Sequence, residues 1–167
     1  MNQSFAALLL AARRERQPVI ATALTDGAPS GQARQARLAQ QQGAEALELR
    51  ADLLVDPAQV RAALTAVRAA SSLPLLLTYR SATEGGKGAG HGQGYEDYLA
   101  SLLQLRPAVA AVDIEMACPA SKALVAEAKA GGYDVVGSCH DFTATPSAAQ
   151  ITQKLAQITA AGADITK

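Results

Sequence analysis

The sequence predicts an α/β protein whose parallel sheet is curled as a (β/α)8 barrel of the TIM-barrel type, with about six of the eight strand-helix units present. Two observations predict it. Short apolar, partly β-branched runs alternate with longer Ala/Leu-rich stretches at helical spacing. The residues able to do chemistry gather at the C-terminal ends of several different strand-like runs.

The first 17 residues read as a leading helix or arm, with an apolar run over 5–12 followed by Arg13, Arg14 and Arg16. Strands are expected over 19–24, 46–50, 75–79, 109–115, 134–139 and 163–167, and helices over 31–42, 57–70, 95–105, 119–130 and 146–161. Pro57, Pro119 and Pro146 fall where a first helical turn tolerates a missing N–H, and Gly43, Gly131 and Gly162 fall where helices end. The strand-like runs are apolar almost throughout, as strands buried on both faces must be.

An open doubly wound sheet would show the same alternation. The placement of charge favours the barrel, because an open sheet usually binds at one switch point whereas a barrel brings every strand end to one mouth. Here Glu48 and Arg50, Arg80 and Glu84, Glu115, His140 and Lys167 all sit at or just beyond strand ends. A complete barrel runs to roughly 250 residues, and this chain has 167. The expectation is therefore one domain forming a partial barrel, with open sheet edges that invite pairing with another chain.

Charge and composition narrow the partners. Fifteen residues of each sign give a formal net charge of zero, which lacks the basic footprint that binding to a phosphate backbone requires. No nucleic-acid partner is expected. The run over 5–12 is too short to span a bilayer and its positive charges follow it, so neither a membrane span nor a signal peptide is expected. Two cysteines, Cys118 and Cys139, fall far below the density of a disulfide scaffold, which favours reduced thiols and a cytoplasmic location.

Each rim residue carries a plain reading beside a chemical one. Lys167 follows Ala163 and Ile165 at a strand end; at a barrel mouth, partial burial and nearby Arg50 and Arg80 would disfavour the ammonium and free a nucleophilic amine. It could equally be a solvated lysine. His140 has the intrinsic acidity for proton transfer near neutrality, or is a satisfied loop histidine. Cys139 precedes it, but adjacent strand residues point to opposite faces, which argues against a thiol–imidazole pair. Arg50 and Arg80 suit bidentate recognition of a carboxylate, or merely pair with Glu48 and Glu84. Glu84 could orient an imidazole, and Glu48 could accept bonds from substrate hydroxyls.

The segment 84–94 holds six glycines with Lys87 and His91. No register gives G-x-G-x-x-G, and Lys87 lacks the earlier glycine of a P-loop, so a lid or loose loop is expected instead of a phosphate cradle. Two histidines without H-x-x-x-H or C-x-x-C spacing predict no tight metal site.

Taken together, Glu48-Leu-Arg50-Ala-Asp52-Leu, Pro74-Leu-Leu-Leu-Thr-Tyr-Arg80-Ser-Ala-Thr-Glu84-Gly-Gly, Asp113-Ile-Glu115, Ser138-Cys-His140-Asp141-Phe142-x-x-Thr145-Pro146 and Ala163-Asp164-Ile-Thr-Lys167 resemble the type I 3-dehydroquinate dehydratases in order and spacing. The similarity runs from about residue 19 to 167, about the first two thirds of a family member. The resemblance implies a (β/α)8 barrel, usually a homodimer, that converts 3-dehydroquinate to 3-dehydroshikimate in the shikimate pathway without metal or organic cofactor. It implies that Lys167 forms an imine with the substrate ketone and that His140 moves the protons, with Glu84 orienting it and Glu48, Arg50 and Arg80 contacting substrate. Family members add two strands that bring a further arginine and a glutamine. The expectation is weak or no activity from this chain alone. A class I aldolase-type barrel is the rival enzyme, against which the His140-Asp141-Phe142 and 80–86 segments speak; a non-catalytic barrel fragment serving as an assembly or binding module is the rival of another kind.

Overall fold

The structure, a computed structural model, describes residues 4–54, 56–105 and 108–167. Six strands, β1 (Ala21–Leu24), β2 (Ala46–Arg50), β3 (Leu75–Thr78), β4 (Ala111–Glu115), β5 (Asp134–Ser138) and β6 (Ile165–Thr166), form one sheet in sequential order with every pairing parallel. That order has no reversal, which separates a barrel wall from a doubly wound sheet. Helices α1 (Phe5–Glu15), α2 (Pro29–Gln41), α3 (Pro57–Ala70), α4 (Gln93–Leu102), α5 (Ser121–Ala130) and α6 (Ala148–Ala160) precede or connect the strands. The leading arm expected over 1–17 is α1, and its first three residues lie outside the described ones.

Local chemistry sets the helix starts. In α3, Pro57 occupies the first turn, and the Asp56 carboxylate accepts from the Gln59 N–H at 2.8 Å, satisfying a donor the helix itself cannot. Two prolines expected inside helices lie before them. Pro146 precedes Ser147, which caps α6 in a reciprocal box with Gln150. Pro119 lies in a turn closed by Cys118 N–H to Glu115 O and Ser121 N–H to Cys118 O, and α5 begins after it. At the end of α5, Gly131 stays right-handed at φ −66° and its neighbour Gly132 takes the left-handed conformation at φ 72°.

The strands are buried on both faces. Outward-pointing Leu47, Leu49, Leu75, Leu77, Val112 and Ile114 join the larger core beneath the helices. The opposite face carries Ala46, Leu76, Ala111 and Val136 at the N-terminal end, and Phe5 of α1 packs among them. The Asp134 carboxylate accepts from Ser4 Oγ at 2.8 Å and from the Ala6 N–H at 2.9 Å, pinning α1 across the floor. This floor, left undecided by the sequence, closes the apolar end of the inner face.

The inner face is strongly curved. Glu48 on β2 and Lys167 after β6 are separated by four strand spacings, about 19 Å in a flat sheet, yet their side chains meet at 2.9 Å. Only a curled wall permits that contact. Among the described residues, β1 pairs with β2 alone and β6 with β5 alone, which leaves the two edges open. Ile20 and Leu38 beside β1, and Leu155 on α6, are 57%, 52% and 41% exposed. They are apolar side chains on the flanks of the open edges, as expected of a partial barrel.

Candidate active site

Period-two alternation lifts a polar cluster above the apolar floor. Two residues beyond Ala46, Leu76, Ala111 and Val136 along their strands come Glu48, Thr78, Asp113 and Ser138, and two further on Arg50, Arg80, Glu115 and His140. Lys167 stands two residues beyond Ile165. The strands thus supply a middle layer and a mouth layer of polar groups.

Arg80 is the hub. Its Nη1 donates to Glu115 Oε1 at 2.9 Å and Ser138 Oγ at 3.0 Å and lies 3.4 Å from Glu84 Oε2; its Nη2 donates to Asp113 Oδ2 at 3.0 Å. Burial alone would lower the pKa of this guanidinium, but Asp113, Glu115 and Glu84 raise it, so it stays a fixed cation. Burial pushes the Glu115 carboxyl up. Bonds from the Ser81 hydroxyl and N–H, from His91 and from Arg80 outweigh that and hold it below the usual carboxylate range. Glu84 goes the other way, raised by its own burial and by the charge of Glu115.

Lys167 is anchored although part of its side chain is solvated. Its Nζ donates to Glu48 Oε1 at 2.9 Å and Asp113 Oδ2 at 3.2 Å, while 36% of its side chain stays exposed to the mouth. Its direct partners are these two carboxylates, and Arg80, expected nearby, donates to the same Asp113 oxygen. Burial would raise the Glu48 carboxyl, but the Lys167 ammonium, the Thr78 hydroxyl and Arg50 bring it below its ordinary value.

His140 lies beyond β5, its Nε2 buried with no hydrogen-bond partner among the described residues and its ring stacked on Phe142 at 6.2 Å between centroids. Burial, then Arg80, lower its basicity from the ordinary histidine value, so the imidazole is favoured over the imidazolium. Glu84 does not meet this ring. Its Oε2 accepts from the His140 backbone N–H at 3.1 Å, which fixes the chain at His140. A cavity of about 370 Å³ is lined by His140 and Lys167 together with the segment after β5 and the α6 side chains Ile151, Leu155 and Ile158, a volume suited to a small ring. Cys139 lines the same cavity, and its thiol sulfur accepts from Lys154 Nζ at 3.0 Å.

Arg50 turns from Glu48. It donates from Nε and Nη2 to the two Asp52 oxygens at 2.8 Å and 2.7 Å, and Asp52 also accepts from the Lys87 and Arg80 N–H groups. The plain pairing of Arg50 with Glu48 is therefore replaced by a bidentate pair two residues along the chain. The glycine-rich segment is bound down as well: Gly88 N–H to Arg80 O, Ala89 N–H to Tyr79 Oη and His91 Nε2 to Glu115 Oε2 hold it over the mouth.

Thr78, Asp113, Ser138, Asp52 and His91 were given no role on sequence grounds. The first three stood in plain view as polar residues two positions before Arg80, Glu115 and His140, inside apolar strands; that spacing is the signal that finds them. His91 sits among glycines, where no periodicity exists. Among the described residues, Glu84, His91 and Glu115 place one ligand atom each within 4.8 Å of one another. Arg80 Nη1 already neutralises both carboxylates there, and a divalent ion would be forced against that charge.

Residues 20–167 match the family model DHquinase_I, type I 3-dehydroquinase. A 3-dehydroquinate dehydratase of Methanosarcina acetivorans is 38% identical over 133 residues, covering 77% of this chain and 55% of that protein. The chain spans about half the length of the curated relatives it matches. Among solved structures, 3-dehydroquinate dehydratase from Enterococcus faecalis superposes with a TM-score of 0.81 at 28% identity, covering 89% of this chain and 64% of that one. The type I 3-dehydroquinate dehydratase of Clostridium difficile also gives 0.81, at 23% identity, over 89% of this chain and 61% of that one, and bears out the barrel fold.

Proposed function

Since the chain belongs to the type I 3-dehydroquinase family, we propose that it carries the Schiff-base site of a 3-dehydroquinate dehydratase, a carbon–oxygen lyase acting on 3-dehydroquinate. The observation that carries the reading is Lys167 Nζ held by Glu48 and Asp113 at a mouth that also gathers Arg80 and His140. In this reading Lys167, once deprotonated, attacks the ketone carbon; the carbinolamine loses its oxygen as water and leaves an imine. The iminium withdraws electrons from the neighbouring C–H bond, His140 takes that proton, and the resulting enamine expels the hydroxyl on the next carbon as water, with His140 returning the proton. Hydrolysis of the imine frees Lys167 and 3-dehydroshikimate. These steps draw on side chains alone.

Glu84 steadies His140 through its backbone, and Arg50 and Arg80 present guanidinium groups to the substrate carboxylate. Arg80 is buried and already committed to carboxylates. Arg50 is 24% exposed at its side chain and the freer of the two to turn toward substrate. A place in the shikimate pathway, a cytoplasmic location and a homodimer complete the proposal and rest on the family resemblance. Among the described residues no helix is long and apolar enough to cross a membrane.

Intact mass after mixing the chain with 3-dehydroquinate and borohydride tests the reading. A reduced adduct mapped to Lys167 and lost in Lys167→Ala is expected; a folded chain that forms none overturns it. The pH dependence of the proton step is a second expected outcome. Because burial and Arg80 lower the basicity of His140, it remains a neutral acceptor at pH 7 and loses that capacity only as the pH falls below its ordinary value near 6.5. Deuterium incorporation beside the imine carbon, read by mass spectrometry of the trapped adduct, should hold level from pH 8 to about 6.5. A decline that sets in above pH 7 would refute this role.

A further inference from the structure

We infer that His91 is a positioning residue for the Schiff-base amine, acting on Lys167 through the continuous chain of contacts His91–Glu115–Arg80–Asp113–Lys167. The inference deepens the dehydratase reading and rests on it for its meaning.

Each link is a hydrogen bond between buried or half-buried groups. His91 Nε2 meets Glu115 Oε2, Glu115 Oε1 accepts from Arg80 Nη1 at 2.9 Å, and Arg80 Nη2 donates to Asp113 Oδ2 at 3.0 Å. That same Asp113 oxygen is the one 3.2 Å from Lys167 Nζ. Arg80 and Lys167 therefore compete for one acceptor, and whatever draws Arg80 toward Glu115 leaves more of Asp113 to the lysine.

His91 is placed to set that balance. Glu115 has no exposure, and a carboxylate offers about four acceptor directions. They are met by Arg80, by the Ser81 N–H and hydroxyl, and by His91, so no solvent can replace the histidine. The ring is fixed although its loop is rich in glycine: its backbone N–H donates to Thr83 Oγ1 at 3.1 Å, and it forms an edge-to-face pair with the Tyr95 ring at 5.4 Å between centroids. The charged groups facing it are Glu115 and, more weakly, Glu84. The loop also has anchors independent of the ring, from Gly88, Lys87 and Ala89, so its path does not depend on the imidazole.

Without the imidazole, Glu115 Oε2 keeps only the Ser81 hydroxyl, its charge is less compensated, and Arg80 is drawn toward it and away from Asp113. Asp113 then holds the Lys167 ammonium more firmly, and attack on a ketone slows. A glutamine at position 91 restores an N–H donor near the Nε2 position, whereas phenylalanine fills the same space without one.

The experiment compares the full chain with His91→Phe and His91→Gln, following two rates across pH 6–9: formation of the borohydride-trapped adduct with 3-dehydroquinate, and acylation of Lys167 by acetic anhydride read by peptide mass. Urea midpoints are measured alongside. His91→Phe is expected to slow both rates about tenfold at pH 7 and move both profiles to higher pH, the scale of coupling through a packed network. His91→Gln is expected to stay within about twofold, with its profiles in place. Unchanged rates and profiles in His91→Phe, or equal impairment in His91→Gln, overturn the inference. If the unsubstituted chain forms no adduct, the dehydratase reading fails, and the acylation rates still decide whether His91 governs the amine.

Discussion

Arg80→Met is expected to destabilise the chain by about 3–5 kcal/mol at pH 7, the usual consequence of removing one partner from a buried ionic group. The methionine fills much of the volume, so the loss is electrostatic: Asp113, Glu115 and Glu84, all under 5% exposed, lose their shared cation. The pH dependence identifies the cause. In the parent chain Glu115 lies below the ordinary carboxylate value and stabilises the fold above that range, a contribution lost as the pH falls through its lowered value. In the variant the bonds from Ser81 and His91 remain while the charge of Arg80 is gone, so the Glu115 carboxyl moves up toward its ordinary value and less stability is left to lose as the pH falls. The gap between variant and parent, read from urea denaturation, should therefore narrow on going from pH 7 toward pH 4. A loss below about 1 kcal/mol, or a gap independent of pH, would show that Asp113, Glu115 and Glu84 do not depend on Arg80.

Phe5→Ala is the second large effect expected, about 3–5 kcal/mol for truncating a buried aromatic ring. Phe5 is 6% exposed and packs with Ala46, Leu76, Ala111 and Val136 at the floor of the inner face. Helix α1 buries no other described residue fully; partly buried Leu8 and Leu9 and the bonds from Ser4 and Ala6 to Asp134 are what else holds it. The urea midpoint should fall while the identity of the trapped residue stays Lys167, because the floor serves stability and the mouth serves chemistry. Hydrogen exchange along α1 should rise to the rate of an unprotected helix. Persistent protection of α1 amides in the variant would mean that Leu8, Leu9 and the contacts at Asp134 suffice.

How much of this was legible beforehand depended on whether a feature was written in local pattern. Helix α3 was read over 57–70 and is found as Pro57–Ala70, because Pro57 and the apolar spacing both lie within the helix itself. The starts of α5 and α6 were misplaced where a turn or a serine cap overruled the proline. The rim residues were legible as polar side chains ending apolar runs. Their pairings were not: Arg50 joins Asp52 instead of Glu48, Glu84 holds the His140 backbone instead of its ring, and Lys167 bonds directly to the carboxylates of Glu48 and Asp113.

The sequence by itself determined the alternation of strands and helices, the burial of the strands on both faces and the set of polar residues at the mouth. Periodicity and capping carry that information over a few residues at a time. Tertiary structure alone decided that Glu48 and Lys167, 119 positions apart, share a hydrogen bond, that α1 closes the floor, and that His91 reaches Glu115 from a glycine-rich loop. The physical reason is curvature: a contact across a curled sheet is fixed by the sum of strand twists and paired registers, and no local stretch of sequence contains that sum.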